Sequence, residues 1–472
     1  MQFENTYTGL PDRFYARVMP AVVPKPTLLA WNPQLAGDLG LGRLGDDSER
    51  LACLFSGNEM LPGAEPIALA YAGHQFGNFV PQLGDGRALL LGEMLDAGTG
   101  RRWDIQLKGS GQTPYSRRGD GKAAIGPVIR EYLVSEAMHR LGVPTTRSLA
   151  IVATGEEVLR DGRLPGAVLT RVASSHIRVG TFEYFAARQD RNALQQLTDY
   201  AIQRHYPEVA EAAAPVLAFF ARVLEAQARL VAHWMGIGFI HGVMNTDNTA
   251  ISGETIDYGP CAFMDEFDYR KVFSSIDQFG RYAYGRQAAI AHWNLARLAD
   301  CLLLLDERPS EFEQALGGFQ DLFEAHFLQR MAGKLGLQSV KEGDDALVTA
   351  WLQLMQDREL DFTLSFRVLA ERAEDDGSLV FGEFEQRWRR RLGQQPADAA
   401  EVRSQMNGVN PLYIPRNHQV ERAIEAAVAG DMSIFEELQR VLQQPFEEQP
   451  GLEAYAEPPR AAERVTQTFC GT

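Results

Sequence analysis

The sequence predicts an α+β protein, with a strand-rich unit early in the chain and a larger helical unit after it. Two observations carry this prediction. Between Tyr71 and about Arg171, short alternating runs lie between glycine turns (ALLLGEML, RWDIQLKG, SLAIVATG, GAVLTRVA), which is the pattern of half-buried strands. After Arg171 the apolar spacing lengthens to that of helices, in APVLAFFARVLEAQARLVAHWMGIGF, AIAHWNLARLADCLLLL, FQDLFEAHFLQRMAGKLG and VERAIEAAVAGDM.

Taken in order, residues 1–65 form a leader rich in Pro and Leu, including VVPKPTLLAWNP, without periodicity and expected to pack on the core. Residues 66–172 form the strand-rich unit, interrupted by a single helix from about Gly126 to Leu141. That helix opens with Pro127 in its first turn and repeats apolar residues at Ile129, Leu133, Ala137 and Leu141. Residues 173–444 form the helical unit, and 445–472 (PFEEQPGLEAYAEPP and beyond) an extended tail that carries Cys470. Strands, one helix, more strands and then a large helical unit is the order of a protein-kinase-like bilobal fold. The chain has no internal repeat.

The 472 residues, 45% apolar and 23% charged, suit a globular protein with a sizeable core. With 62 acidic against 46 basic side chains the net charge is −16, which disfavours nucleic acid as a partner because phosphate-backbone binding rests on Lys and Arg. The N-terminus lacks a basic segment followed by an apolar one, and no apolar run approaches the roughly 20 residues of a spanning helix. The expectation is a cytoplasmic or matrix-like protein with no membrane partner. Four scattered cysteines (Cys53, Cys261, Cys301, Cys470) without a CxxC do not make a secreted framework, so any disulfide would be regulatory.

The stretch His241–Gly259, HGVMNTDNTAISGETIDYG, carries the chemistry. It has the layout of a kinase catalytic centre, in which His-Gly-Asp is followed five residues on by Asn and then by Asp-x-Gly. Val243, however, stands where the Asp that accepts the substrate proton would be. Asn248 and Asp257 supply one amide and one carboxylate oxygen, enough for a Mg²⁺ that takes its remaining ligands from phosphate and water. Asp247 is the nearby carboxylate that could replace the missing base. In WDIQLKGSG, Lys108 leaves its strand on the polar face, and Glu131 in the helix could hold it. Two Gly-Asp-Gly turns, Gly84-Asp85-Gly86-Arg87 and Gly119-Asp120-Gly121-Lys122, could bring backbone amides and basic groups to phosphates, or be plain hairpin turns. Arg171 and Arg178, expected just after the last strand, could clamp a triphosphate.

Together, YAGHQFGNFVPQLGDGRA, QLKGSGQTPYSRRGDGKA, REYLVSEAMHRLGVPTTR, HGVMNTDN, TIDYGPCAFMD and NPLYIPRNH strongly resemble the selenoprotein O (YdiU) family of kinase-fold proteins, from about Tyr71 to the C-terminus. The resemblance implies a pseudokinase that binds ATP reversed and transfers AMP to Ser, Thr or Tyr hydroxyls of protein substrates. It implies Mg²⁺ or Mn²⁺ held by Asn248 and Asp257, and Asp247 as base. It further implies the Lys108–Glu131 pair, Arg171 and Arg178 on phosphate, and Gly84, Gly86, Arg87, Asp120, Gly121 and Asp257 at the nucleotide. Eukaryotic members carry selenocysteine three residues from the end, where this chain has Cys470. Cys261, just after the Asp257 motif, and Cys470 are the candidates for a redox-sensitive pair. A phosphotransferase with an unusual catalytic loop, a non-catalytic ATP-binding scaffold, and UTP in place of ATP stay open on the sequence.

Overall fold

The computed structural model describes residues 3–45, 47–96, 98–160, 162–375 and 377–469. In chain order its first ten strands are β1 (Tyr15–Arg17), β2 (Thr27–Trp31), β3 (Ile67–Leu69), β4 (Gly73–Gln75), β5 (Asn78–Val80), β6 (Ala88–Leu95), β7 (Arg102–Lys108), β8 (Ala123–Ala124), β9 (Arg147–Leu159) and β10 (Arg163–Ala173). One antiparallel sheet runs β1-β3-β6-β7-β10-β9-β2, with β8 also paired to β10, while β4 and β5 form a separate hairpin. The four alternating runs of the sequence are β6, β7, β9 and β10, the centre of this sheet.

The leader is more than a covering segment. It supplies both edges of the sheet, since β1 pairs with β3 and β2 with β9. Its helix Ser48–Ser56, capped by the Asp47 carboxylate accepting from the Arg50 N–H, packs Leu51, Leu54 and Phe55 beneath the sheet against Ile105, Leu107 and Val172. Pairing with strands far along the chain, not local periodicity, makes these segments regular.

The predicted helix spans Ile125–Arg140. Its Pro127 lies in the first turn, where the missing N–H costs no intrahelical bond. The expected one-sided stripe is too narrow a reading, because the helix is buried on nearly every side. Val128, Ile129, Tyr132 and Leu133 share a core with Ala167 and Leu169 of β10 and with Phe435 and Leu438 of a C-terminal helix.

The helical unit is centred on Pro215–Gly236, which contacts the helices Gln287–Leu302 and Phe319–Lys334. Two short strands, β11 (Phe239–Ile240) and β12 (Ala262–Phe263), bracket the His241–Gly259 stretch and pair with each other. Within the described residues the tail is anchored to the helical unit. Arg416, fully buried, bonds Asp265, Asp361 and the Ala456 carbonyl at 2.8–2.9 Å, and Thr468 donates to the Pro260 carbonyl at 2.6 Å. Among the described residues no helix is long and apolar enough to cross a membrane.

Candidate active site

A cleft of about 330 Å³ opens where β7 and β10 meet the loops at 243–248 and 257–260. It gathers residues far apart in the sequence: Gly84, Gly86, Arg87, Lys108, Asp120, Gly121, Arg171, Arg178, Asp247, Asn248 and Asp257 all line it. Basic side chains outnumber carboxylates along its wall by seven to four, although the chain as a whole is strongly acidic. Such a cleft concentrates positive potential where the low-dielectric walls focus it.

Strand register builds its floor. Arg171 lies opposite Gln106, and Lys108 opposite Leu169, so the polar faces of β7 and β10 present Lys108, Gln106 and Arg171 together. Arg171 is therefore a residue of β10, not of the segment after it. Arg178 does follow the strand, at the start of the helix Val179–Ala186, where its N–H donates to the Thr181 hydroxyl at 3.1 Å. Glu131 lies just behind the cleft and bridges two cations, accepting from Lys108 Nζ and Arg171 Nε at 2.5 Å each. Asp257 takes Arg171 on Oδ1 and Arg178 on Oδ2, again at 2.5 Å, with Lys108 Nζ 3.7 Å away. Burial alone would raise the pKa values of these two carboxylates, but Arg171 with Lys108 holds Glu131 below the usual range, and Arg171, Arg178 and Lys108 hold Asp257 well below it. Burial, reinforced by Arg171, lowers Lys108 in spite of Glu131. Arg178 also lies over the Tyr71 ring at 4.7 Å.

The 241–257 loop is fixed from within. The fully buried His241 ring contacts the Ile256 carbonyl through Nε2 at 2.9 Å, tying the start of the loop to the residue before Asp257, and burial holds its pKa down so that it stays neutral. Asp257 itself has φ 62°, the left-handed region that costs a non-glycine residue energy and that clusters at functional sites. The segment is a 3₁₀ turn at Thr246–Asn248 followed by irregular backbone. Asn248 donates from Nδ2 to the Val243 carbonyl at 2.9 Å, which commits its nitrogen, so that Oδ1 is the atom that could meet a metal. Among the described residues no cluster of three or more His, Cys, Asp or Glu could hold a metal ion by itself. The Asn248 amide oxygen and the Asp257 carboxylate are hard oxygens of the kind that could hold Mg²⁺ or Mn²⁺ completed by phosphate.

Asp247 is 7% exposed. Its Oδ2 accepts from Gln75 Nε2 at 3.1 Å, its Oδ1 is buried without a partner, and burial pushes its pKa up to about 6. Val243 lines the same cleft and offers no proton acceptor there.

The sequence model of the family described as protein adenylyltransferase SelO matches residues 1–443. The chain belongs to the SelO family. Proteins named protein nucleotidyltransferase YdiU are similar over the whole of it. The one from Rhizobium meliloti (strain 1021) is 56% identical, covering all of this chain and 99% of its own length. Those from Bradyrhizobium diazoefficiens and Rhizobium leguminosarum bv. trifolii are 54% identical, covering all of this chain and 99% and 97% of their own lengths. This SelO-family chain is a nucleotidyltransferase.

The two Gly-Asp-Gly turns behave differently in this SelO-family site. A Cβ on Gly84 (φ +72°) would meet the Tyr115 ring at 2.3 Å, and one on Gly121 (φ +70°) would meet the Gly111 carbonyl at 2.1 Å, so both turns require glycine. Asp85 faces inward to the Leu69 N–H and Gln106, whereas Asp120 is held by Arg160 at 2.9 and 3.0 Å. Gln75, Tyr71, Asn245 and Arg160, none of them a candidate from the sequence, also line the cleft. For Gln75 and Tyr71 a signal existed, since YAGHQFGNF is part of the motif that marks the family, but no spacing ties them to Asp247 or Arg178. Cys261 is fully buried, and Cys470 lies outside the described residues.

Proposed function

We propose that this chain is a cytoplasmic protein adenylyltransferase that moves AMP from ATP to Ser, Thr or Tyr hydroxyls of proteins. In this reading residues 66–172 form the nucleotide-binding lobe and 173–444 the larger lobe of a kinase-like scaffold, and the ATP lies reversed. One observation carries it: the nearest carboxylate able to act as a base beside Asn248 and Asp257 is the buried Asp247, while Val243 leaves the kinase position without an acceptor.

The acceptor hydroxyl attacks the α-phosphorus, the bond from that phosphorus to the bridging oxygen of the β-phosphate breaks, and pyrophosphate leaves. Asp247 receives the hydroxyl proton; with a pKa of about 6 it is mostly ionised at neutral pH yet more basic than an ordinary aspartate. Lys108, Arg171 and Arg178 bind phosphate oxygens and stabilise the charge that grows on the departing pyrophosphate. Arg171 and Arg178 both grip Asp257. A triphosphate competes for those guanidinium groups and so frees the carboxylate as a ligand. Asn248 and Asp257 would hold Mg²⁺ or Mn²⁺, which when bound neutralises phosphate charge.

Incubation with ATP labelled on the α- or the γ-phosphate tests this. The expected result is stable α-label on protein with a mass gain of AMP; γ-label alone would establish phosphotransfer instead. The proposal extends to redox control through Cys261 and Cys470. Thr468, two residues before Cys470 in the sequence, bonds the carbonyl of Pro260, the neighbour of Cys261. Peptide mapping without reduction, with activity read with and without a dithiol, decides that extension.

A further inference from the structure

Residues 269–286 follow the Asp257 loop and form a compact loop at the rim of the cleft. Its two ends are paired, the Tyr284 N–H donating to the Lys271 carbonyl at 3.0 Å and the Gly285 N–H to the Tyr269 carbonyl at 2.9 Å. Its bend is held by Asp277, buried, which accepts the N–H groups of Arg281 and Tyr282 at 2.8 Å each. Tyr282 points inward and donates its hydroxyl to Asn245 Oδ1 at 2.6 Å, and Asn245 lines the cleft. The loop is thus an ordered continuation of the site.

Its outer face is unlike its inner one. Phe279 is 91% exposed and Ile276 55% exposed, although the loop buries Phe273, Tyr282 and Tyr284 almost completely. The tail adds a third apolar group, because Thr468 bonds the Phe273 carbonyl and the Ser275 N–H, and the next residue, Phe469, is 66% exposed. Single exposed apolar residues are ordinary on protein surfaces, but several on one ordered rim beside a reactive cleft mark an interaction site. The charged groups around them are mainly basic. The Arg270 side chain is 91% exposed, 3.9 Å from Asp268 just before the loop, and Arg286 is exposed, while the loop's one acid, Asp277, is turned inward. In a chain of net charge −16 this is a local reversal of sign.

We propose that this rim docks the protein substrate, selecting an acidic segment that carries a large apolar residue near its acceptor hydroxyl. Phe279 and Ile276 receive the apolar side chain, and Arg270 and Arg286 attract the acidic flanks. The proposal rests on the transferase reading, and its test is made without transfer so that the two can fail separately.

The test uses the full chain without nucleotide and three fluorescent 13-residue peptides. The first has a central serine, flanking glutamates and one phenylalanine three residues away; the second replaces glutamate by lysine, the third phenylalanine by serine. Anisotropy titration is expected to show the first bound at least about tenfold more tightly than the others, with an advantage that shrinks as salt rises. Phe279→Ser with Ile276→Ser is expected to remove that advantage while ATP affinity is unchanged, and Arg270→Glu with Arg286→Glu to favour the lysine peptide. Equal binding of all three peptides, or undiminished preference in both variants, overturns the proposal. So does binding to phosphatidylserine vesicles without peptide preference, which would make the rim a membrane contact. If docking fails while α-label still reaches protein, the transferase reading stands and only the docking face is withdrawn.

Discussion

At Asp247 one carboxylate oxygen accepts from Gln75 and the other has no partner in a buried setting. An unmade hydrogen bond of this kind costs on the order of 1–3 kcal/mol, a cost retained where a reactive group is wanted. Asp247→Asn is therefore expected to leave thermal stability unchanged or raised and ATP binding intact, while kcat falls roughly 10²- to 10⁴-fold, the range of a lost general base. Gln75→Leu removes a hydrogen bond to a charged group, worth about 1.5–3 kcal/mol, so kcat should fall about tenfold or more with little change in KM for ATP. Asp257 is a different case, because a group that would hold metal acts in ground and transition states alike. Asp257→Ala should abolish metal-dependent ATP binding, which calorimetric titration with ATP and Mn²⁺ reads directly. Metal-dependent binding that survives in this variant would remove Asp257 from the ligand set.

Among the elements, the helix Ile125–Arg140 does the most positioning, because it offers two carboxylates to two different networks. Glu131 faces the cleft cations. Glu136, five residues on, is buried and accepts from Arg147 Nε and Nη2, the Ser148 N–H and Asn32 Nδ2, all between 2.7 and 2.9 Å. That second network ties the helix to β9 and, through Asn32, to the helix Pro33–Asp38 that follows β2. Glu136→Ala strands the buried Arg147 and should destabilise the fold by about 3–5 kcal/mol in urea titrations, although Glu136 touches no part of the cleft. A loss below about 1 kcal/mol would show that Arg147 finds water or another acceptor. The hairpin of β4 and β5 is the complementary element on the other wall. Its Gly73 lies so close to Asp247 that a Cβ would meet Oδ1 at 2.5 Å, which is why the hairpin can cover that oxygen.

For the whole molecule, acid sensitivity follows from buried histidine. His233, 5% exposed in the helix Pro215–Gly236, has its pKa lowered to about 3 by burial and by the nearby Arg330 and Lys334. Its folded pKa lies below the ordinary value of 6.5, so the unfolded chain takes up the proton first. The stabilisation is complete above about pH 6.5 and is lost as pH falls towards 3, at roughly 1.4 kcal/mol per unit. Urea unfolding between pH 7 and 4 should show a steeper decline in the native chain than in His233→Leu, and equal slopes would mean that the imidazole reaches water.

The sequence by itself determined the parts whose signal is local. Alternation over β6, β7, β9 and β10 and the apolar repeat of the helix Ile125–Arg140 are records of burial within a few residues of each other. Asn248, Asp257 and Asp247 stand out as candidates because they lie at short spacings in one loop, and the structure brings all three to the cleft. The tertiary structure alone decided what depends on distant partners. The edge strands β1 and β2 have no period of their own and become strands by pairing with β3 and β9. Arg171 belongs to β10 because its register with Gln106 places it there, and Gln75 meets Asp247 across 172 residues of sequence. Such contacts leave no mark in a local window, since the closure of a long loop is rewarded only when the distant surface is in place.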